Sequence, residues 1–284
     1  MQDDLPWLRF YGDVPRTLDY PDVTLYEAVM RSVARVPDAV AFDFLGFRRR
    51  YRELGTDIER CAAGLAAAGL HAGDRITIAT PTCPQGVIAF YAATRLGAVP
   101  AMIHPLSTAP EIEYYLSASR SKIALTLDAF YAKFAEVRAR TALETLILAR
   151  IPDCLPLTSR IGFLLTKQRS IPRVPDAADV TWWSQLLEAR GAPPPAHRAD
   201  PGELAAILFS GGTTGHPKGI MLTHRNLISE GLQVATWARM RAGDSILAVL
   251  PIFHGFGLGV CINAAFMGGG EAIMVPVFTA EAVA

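Results

Sequence analysis

"LAAILFSGGTTGHPKGIMLT" runs from Leu204 to Thr223. "LAAILF" has the continuous apolar run of a buried strand and "GIMLT" reads as a second strand, so the segment between them is a strand–loop–strand turn. The composition of that turn suits one ligand class. Glycines allow backbone N–H groups to converge on an anion. The hydroxyls of Ser210, Thr213 and Thr214 add donors, and Lys218 adds a mobile positive charge. The loop is not a Walker phosphate loop, in which a glycine, four residues and Gly-Lys-Ser/Thr open a helix. Here Pro217 precedes the lysine, Gly219 follows it, and a strand comes next. Nor is it GxGxxG. A glycine-rich hairpin without a ligand is the alternative reading of the same letters.

Outward from this turn, strands and helices alternate. Thr24 to Glu27, "TLYE", forms a capping box, and Leu25, Val29 and Val33 follow at helical spacing. A helix is expected from Tyr51 to Ala68, ended by Gly69. "DRITIAT" (74–80) is a strand, "QGVIAFYAATRLG" (85–97) a helix, "AVPAMI" (98–103) a strand, "APEIEYYLSAS" (109–119) a helix and "KIALTL" (122–127) a strand. After the turn come a helix from His224 to about Met240, the strand "SILAVL", the helix "GLGVCINAAFMG" and the strand "EAIMVP". Such alternation indicates βαβ units, hence an α/β fold of largely parallel sheets flanked by helices.

The region 152–203 breaks the pattern. It is rich in proline, has no clear period, and reads as a long irregular connection with a helical piece around Trp182 to Glu188. Within it "SRIGFLLTKQRSIPR" (159–173) is basic with an apolar stretch, a surface helix or a candidate for peripheral membrane contact. From Ile246 to Gly270 there is no Asp, Glu, Lys or Arg, which is length enough for a bilayer span. Pro251, His254, Asn263 and the glycines of this stretch would leave backbone groups unpaired in lipid, so a buried strand, turn and helix is expected instead.

Lys+Arg and Asp+Glu each number 27, so formal net charge is zero, and no basic stripe with interleaved aromatics points to a nucleic acid. With 51% hydrophobic residues, a sizeable core is expected. Cys61, Cys83, Cys154 and Cys261 form no CxxC pair, so neither a disulfide framework nor a metal site of their own is expected, and a reducing cytoplasm fits. The N-terminal "MQDDLPWLRFYGDVP" lacks the apolar core of a signal peptide.

"LFSGGTTGHPKG", Leu208 to Gly219, resembles the signature phosphate loop of adenylate-forming enzymes, the acyl- and aryl-CoA ligases, luciferases and peptide-synthetase adenylation domains. "LPIFHGFG", Leu250 to Gly257, is similar to the segment that lines their acid-binding pocket, and "GAVPAMIHPLSTAPEIEYYL" also looks like this family. The resemblance spans nearly the whole chain and is weakest between Pro152 and Glu203. It implies that Ser210, Thr213, Thr214 and Lys218 hold the β- and γ-phosphates of ATP, with Gly211, Gly212 and Gly215 shaping the loop. It implies that His254 lies near the substrate carboxylate, with Phe253, Gly255 and Gly257 around it. ATP with Mg²⁺ and coenzyme A are the implied co-substrates. The carboxylate attacks the α-phosphorus to give acyl-AMP and pyrophosphate, and a thiolate then displaces AMP. No metal ligand is assigned within this sequence.

Peptide-synthetase domains usually carry an aspartate where this chain has His254. An unpaired buried acid is costly, so its absence suits a substrate without an amine. Gly257, Gly259 and Gly268 to Gly270 either leave room for an alkyl chain or serve tight helix–sheet packing. Whole-chain similarity leans to fatty acyl-CoA ligases and a medium- or long-chain fatty acid. The family's adenine, ribose and lysine-bearing C-terminal motifs do not occur in these residues. The chain therefore reads as the N-terminal part of an adenylation domain, expected by itself to bind nucleotide weakly and not to turn over, and to expose apolar surface around "EAIMVPV". Two alternatives stand beside this reading: a non-catalytic acyl- or partner-binding protein, and an acyl-AMP ligase that passes its acyl group to a carrier protein.

Overall fold

The computed structural model describes residues 5–166, 171–175, 180–189, 191, 193–198, 200–211, 217–277 and 279. The first helix, α1 (Leu25–Arg35), starts as its sequence dictates: Thr24 Oγ1 accepts from the Glu27 N–H at 3.2 Å, and the Thr24 N–H donates to Glu27 Oε2 at 2.8 Å. A hairpin that the sequence pattern did not give follows, β1 (Val40–Phe44) and β2 (Phe47–Arg50), turning through Leu45 and Gly46 at positive φ. Next come α2 (Tyr51–Ala67), stopped by Gly69 at φ +91°, β3 (Arg75–Ala79), α3 (Pro84–Arg95), β4 (Val99–Met102), α4 (Ala109–Ser119) and β5 (Ile123–Leu127). The chain continues through α5 (Tyr131–Arg138), β6 (Thr145–Ala149), α6 (Leu157–Thr166), β7 (Val180–Trp182) and α7 (Trp183–Leu187). It ends with β8 (Leu204–Ser210), β9 (Lys218–Thr223), α8 (His224–Trp237), β10 (Ser245–Ala248), a π-helix Gly257–Asn263, α9 (Ala264–Gly268) and β11 (Glu271–Met274).

Among the described residues the strands form two sheets. One has the order β7-β6-β5-β3-β4-β8-β9, parallel except for the antiparallel edge strand β9. The other has the order β10-β11-β1-β2, parallel except for β2. This is the α/β architecture expected. The core lies around α3, every residue of which is buried. From it the Tyr91 hydroxyl donates to Asn263 Oδ1 at 2.5 Å, tying α3 to the π-helix. The Tyr51 hydroxyl at the start of α2 donates to the Gly270 carbonyl at 2.6 Å. All four cysteines are free and buried, and burial pushes the Cys83 thiol up to about 11, which makes it an inert packing group.

Several expectations need correction. The region 152–203 holds the expected helical piece as α7 and a surface helix as α6, but it is less irregular than its prolines suggest. β7 pairs in parallel with β6, Trp183 and Leu186 are buried, and the Pro194 carbonyl accepts from Arg95 Nη1 at 2.8 Å. Prolines hid this order because they fix straps against the core rather than forming periodic elements. α8 ends at Trp237, short of Met240, because Arg239 turns left-handed at φ +53°. β11 runs between β10 and β1, so Ala272, Met274 and Val275 are buried and only Val277 is exposed in that stretch. In the neighbouring edge strand β10 Leu247 is exposed, as is Leu250 just beyond it. No described helix is long and apolar enough to cross a membrane.

Candidate functional site

The glycine-rich turn leaves the sheet at a position set by strand register. β8 lies beside β4 in parallel, with Ala101 opposite Ile207 and Met102 opposite Leu208. Ser210 therefore emerges at the carboxyl end of β8, next to the point where β4 gives way to His104. The carboxyl ends of parallel strands are where α/β sheets place ligands. β9 returns antiparallel with Lys218 opposite Ser210, so the hydroxyl and the exposed ammonium-bearing residue flank the turn together. Ser210 Oγ donates to the Lys218 carbonyl at 3.5 Å. α4 secures the turn from outside: Tyr114 donates to the Pro217 carbonyl at 2.8 Å, and the Tyr115 ring packs on Phe209 with centroids 4.6 Å apart. Of the loop residues named from sequence, Ser210, Gly211 and Lys218 occupy these flanks. Gly212, Thr213, Thr214 and Gly215 lie outside the described residues.

The second wall comes from the segment after β10. The His254 N–H donates to the Pro251 carbonyl at 3.0 Å, and the His254 carbonyl accepts from Leu258 N–H at 3.0 Å, which starts the turn into the π-helix. The Phe256 N–H donates to His254 Nδ1 at 3.2 Å. An accepting Nδ1 leaves Nε2 as the protonated nitrogen of the neutral ring, able to donate to a carboxylate oxygen.

These walls meet in a cleft of about 450 Å³ that brings Gly211, Phe209, Phe253 and His254 together with His104 and Tyr115. The last two, and Phe209, are site residues that sequence reasoning did not single out. Their signal is not local: His104 and Tyr115 reach the loop only because β4 abuts β8. The His104 ring packs on Phe253 at 4.5 Å, and its Nδ1 accepts from the Leu106 N–H at 2.9 Å. Burial holds its pKa below the ordinary histidine value, so it is neutral at pH 7. Lys133 on α5 fixes the adjoining loop by donating to the Leu106 and Ser107 carbonyls at 3.1 and 2.8 Å.

An apolar cavity of about 490 Å³ opens on the far side of His104, Leu106 and Phe253, walled by Leu127, Phe130, Ile151, Leu155, Phe163 and Val275. The glycines offered as acyl room are filled. A Cβ at Gly257 would collide with the Leu250 and Pro251 carbonyls, one at Gly259 with the Glu230 carboxylate, and ones at Gly268 and Gly270 would lie 2.7 and 2.9 Å from Met240 atoms. At these positions the packing alternative holds. Gly255 packs toward Leu208 and lines neither cavity. The apolar space lies on the other side of Phe253.

Two mostly parallel sheets flanked by helices, with a cleft at the carboxyl ends of β4 and β8, define an α/β domain. Residues 29–284 match the family model described as AMP-binding enzyme, and the chain belongs to that family. It is 31% identical over 284 residues to a long-chain-fatty-acid–CoA ligase of Bacillus subtilis strain 168, covering 98% of this chain and 51% of that protein. It is also 31% identical over 259 residues to the salicyl-AMP ligase/salicyl-S-ArCP synthetase of Mycobacterium tuberculosis, covering 89% of this chain and 42% of that one. The fold superposes on the crystal structure of a long-chain-fatty-acid-CoA ligase from Archaeoglobus fulgidus with TM-score 0.79 at 23% identity, covering 94% of this chain and 50% of that one. The chain thus spans about half the length of the relatives it matches.

Proposed function

We propose that this chain supplies the phosphate turn and the acid-binding wall for ATP-dependent activation of a medium- or long-chain fatty acid to acyl-AMP and then acyl-CoA. The observation that carries the proposal is the joining of two cavities at one wall. Gly211 and His254 line the cleft at the strand ends, and that cleft shares His104, Leu106 and Phe253 with the apolar cavity behind it. An acid bound there presents its carboxylate to His254 Nε2 and runs its alkyl chain past Phe253. The donors at the turn fit a polyphosphate. The Gly211 N–H supplies a hydrogen bond, the Ser210 hydroxyl a second one by turning from the Lys218 carbonyl, and Lys218 supplies a charge. Mg²⁺ arrives with the nucleotide and neutralises part of the phosphate charge. The protein's share of the first step is positioning and charge stabilisation.

ATP–pyrophosphate exchange on the complete gene product, with a panel of alkyl and aryl acids, tests this. Exchange strongest with an alkyl acid of medium or long chain is expected. Lys218→Ala removes a charge-assisted contact of about 1.5–3 kcal/mol and should lower exchange about 10- to 100-fold. Exchange confined to aryl acids would remove the alkyl assignment, and exchange unchanged in Lys218→Ala would remove the lysine from the site. The relationship to a salicyl-S-ArCP synthetase favours one second reading, transfer of the acyl group to a carrier protein, which acyl-CoA and AMP formation on addition of coenzyme A would exclude.

A further inference from the structure

Where the cleft at the strand ends meets the apolar cavity, His104, Leu106 and Phe253 line both. Only His104 among them carries a polar side chain. An acid whose apolar portion fills the cavity has its carboxylate at this junction, so His104 stands where the two parts of such a molecule divide. Its ring is held in place before any ligand arrives. "HPLS" (104–107) forms a turn after β4, with Pro105 at its second position and the Ser107 N–H donating to the His104 carbonyl at 3.1 Å. The Lys133 ammonium pins the Leu106 and Ser107 carbonyls from α5, and the Phe253 ring packs on the imidazole.

The two histidines of the cleft are built alike. In each, Nδ1 accepts the backbone N–H two residues further on, that of Leu106 for His104 at 2.9 Å and that of Phe256 for His254 at 3.2 Å. The neutral ring then carries its proton on Nε2, and both residues are exposed, which leaves those protons available to a ligand. Phe253 joins the pair, packing on one ring and preceding the other in the chain. Glu111 and Lys133 act on the His104 ring with opposite sign, and its partial burial keeps it neutral at pH 7. A carboxylate has two accepting oxygens, and a single donor leaves it free to swing about that one contact.

We propose that His104 is a second carboxylate-binding residue, its Nε2–H holding one oxygen of the acid while the His254 Nε2–H holds the other. Two donors fix the plane of the carboxylate, and each oxygen keeps a lone pair for attack on phosphorus. The proposal rests on the acid-activating reading above, but not on whether the acid is alkyl or aryl.

The test is pyrophosphate exchange by the complete gene product with the acid it uses best. His104→Asp keeps an acceptor for the Leu106 N–H, because an Asp oxygen reaches the N–H two residues on, but it replaces the donor with a negative charge. It should raise the KM for the acid about tenfold or more, raise that for ATP much less, and leave inhibition by the corresponding primary alcohol, which fills the cavity without a carboxylate, within about twofold of wild type. His104→Asn keeps both an acceptor and a donor and should restore most of the acid affinity. If shaping the turn were the ring's only task, Asp and Asn would behave alike with the acid KM unchanged, and that result overturns the proposal. An acid KM and an alcohol inhibition constant that rise together would also overturn it and make His104 a packing residue of the cavity wall. Absence of wild-type exchange with every acid would remove the proposed function and this role with it, whereas exchange that survives His104→Asp unchanged removes this role alone.

Discussion

Two titratable side chains on α8 pull the pH dependence of stability in opposite directions. His224 is buried, and its Nδ1 accepts from the Leu25 N–H at 3.0 Å, joining α8 to the start of α1. Burial pushes its pKa down to about 4. Glu230 packs against Gly259 of the π-helix with Oε2 buried and unpartnered, and burial pushes its pKa up to about 7. A histidine whose folded pKa is depressed gives stability that is present above its unfolded pKa near 6.5 and lost as pH falls toward 4. A carboxyl whose folded pKa is raised acts the other way: its penalty is absent below its unfolded pKa near 4.5 and grows as pH rises through about 7. Between pH 5 and 6.5 the two slopes oppose each other. Glu230→Gln should leave the histidine slope alone, so that variant loses more stability than wild type on going from pH 7 to pH 5. His224→Asn keeps an acceptor for the Leu25 N–H and should tilt the curve the other way. Glu230 retains partial solvent exposure, so its share is about 1 kcal/mol rather than the larger value its pKa alone would give. Urea midpoints at pH 5 and 7 check both variants. Parallel shifts in the two would mean that neither group controls the slope.

At the scale of elements, Gly64 measures how firmly α7 is docked. It lies within α2, where a Cβ would collide with the Leu186 carbonyl oxygen and sit 2.7 Å from Leu186 Cγ. On an exposed helix Gly→Ala stabilises by about 1 kcal/mol. Here overpacking costs about 1–3 kcal/mol. Gly64→Ala should therefore destabilise by up to about 2 kcal/mol and raise hydrogen exchange in residues 180–187. A stabilised variant would mean that α7 does not rest on α2. The same elements show what a sequence can carry. α1, α3 and the strands β3 to β5 were legible because caps and periodicity are local. β2 was not, because "FRRR" reads as polar loop; its arginines pair sideways, Arg48 with Asp43 at 2.7 Å and Arg49 with Asp57 at 3.2 Å, and that pairing is invisible without the hairpin. α7 was anticipated as a helical piece, but its burial depends on the one missing side chain at Gly64.

At the scale of the whole molecule, the smaller sheet joins the two ends of the chain. β1 pairs in parallel with β11, with Phe42 opposite Ala272, and Tyr51 reaches the carbonyls of Ala265 and Gly270 at 3.2 and 2.6 Å. Nothing periodic in the sequence announces such pairing. The same long-range closure brings the residues after β10, and so His254, to the carboxyl ends of β4 and β8. The turn and the Phe253–His254 wall were therefore readable as motifs, while the roles of His104 and Tyr115 became visible only with the closed fold. α3 packs on β3 and β4 of the larger sheet and on α1 and α2, and its Tyr91 holds the π-helix that leads through α9 into β11 of the smaller sheet, so the sheets should unfold together. Tyr51→Phe tests this by removing one buried donor at a cost of about 1–3 kcal/mol. A single cooperative transition at a lower midpoint is expected, with hydrogen exchange rising alike in β3 to β5 and in β10 and β11. If exchange rose in β1, β10 and β11 alone and the transition split in two, the smaller sheet would be an independent folding unit and the site wall that carries His254 could detach from the phosphate turn.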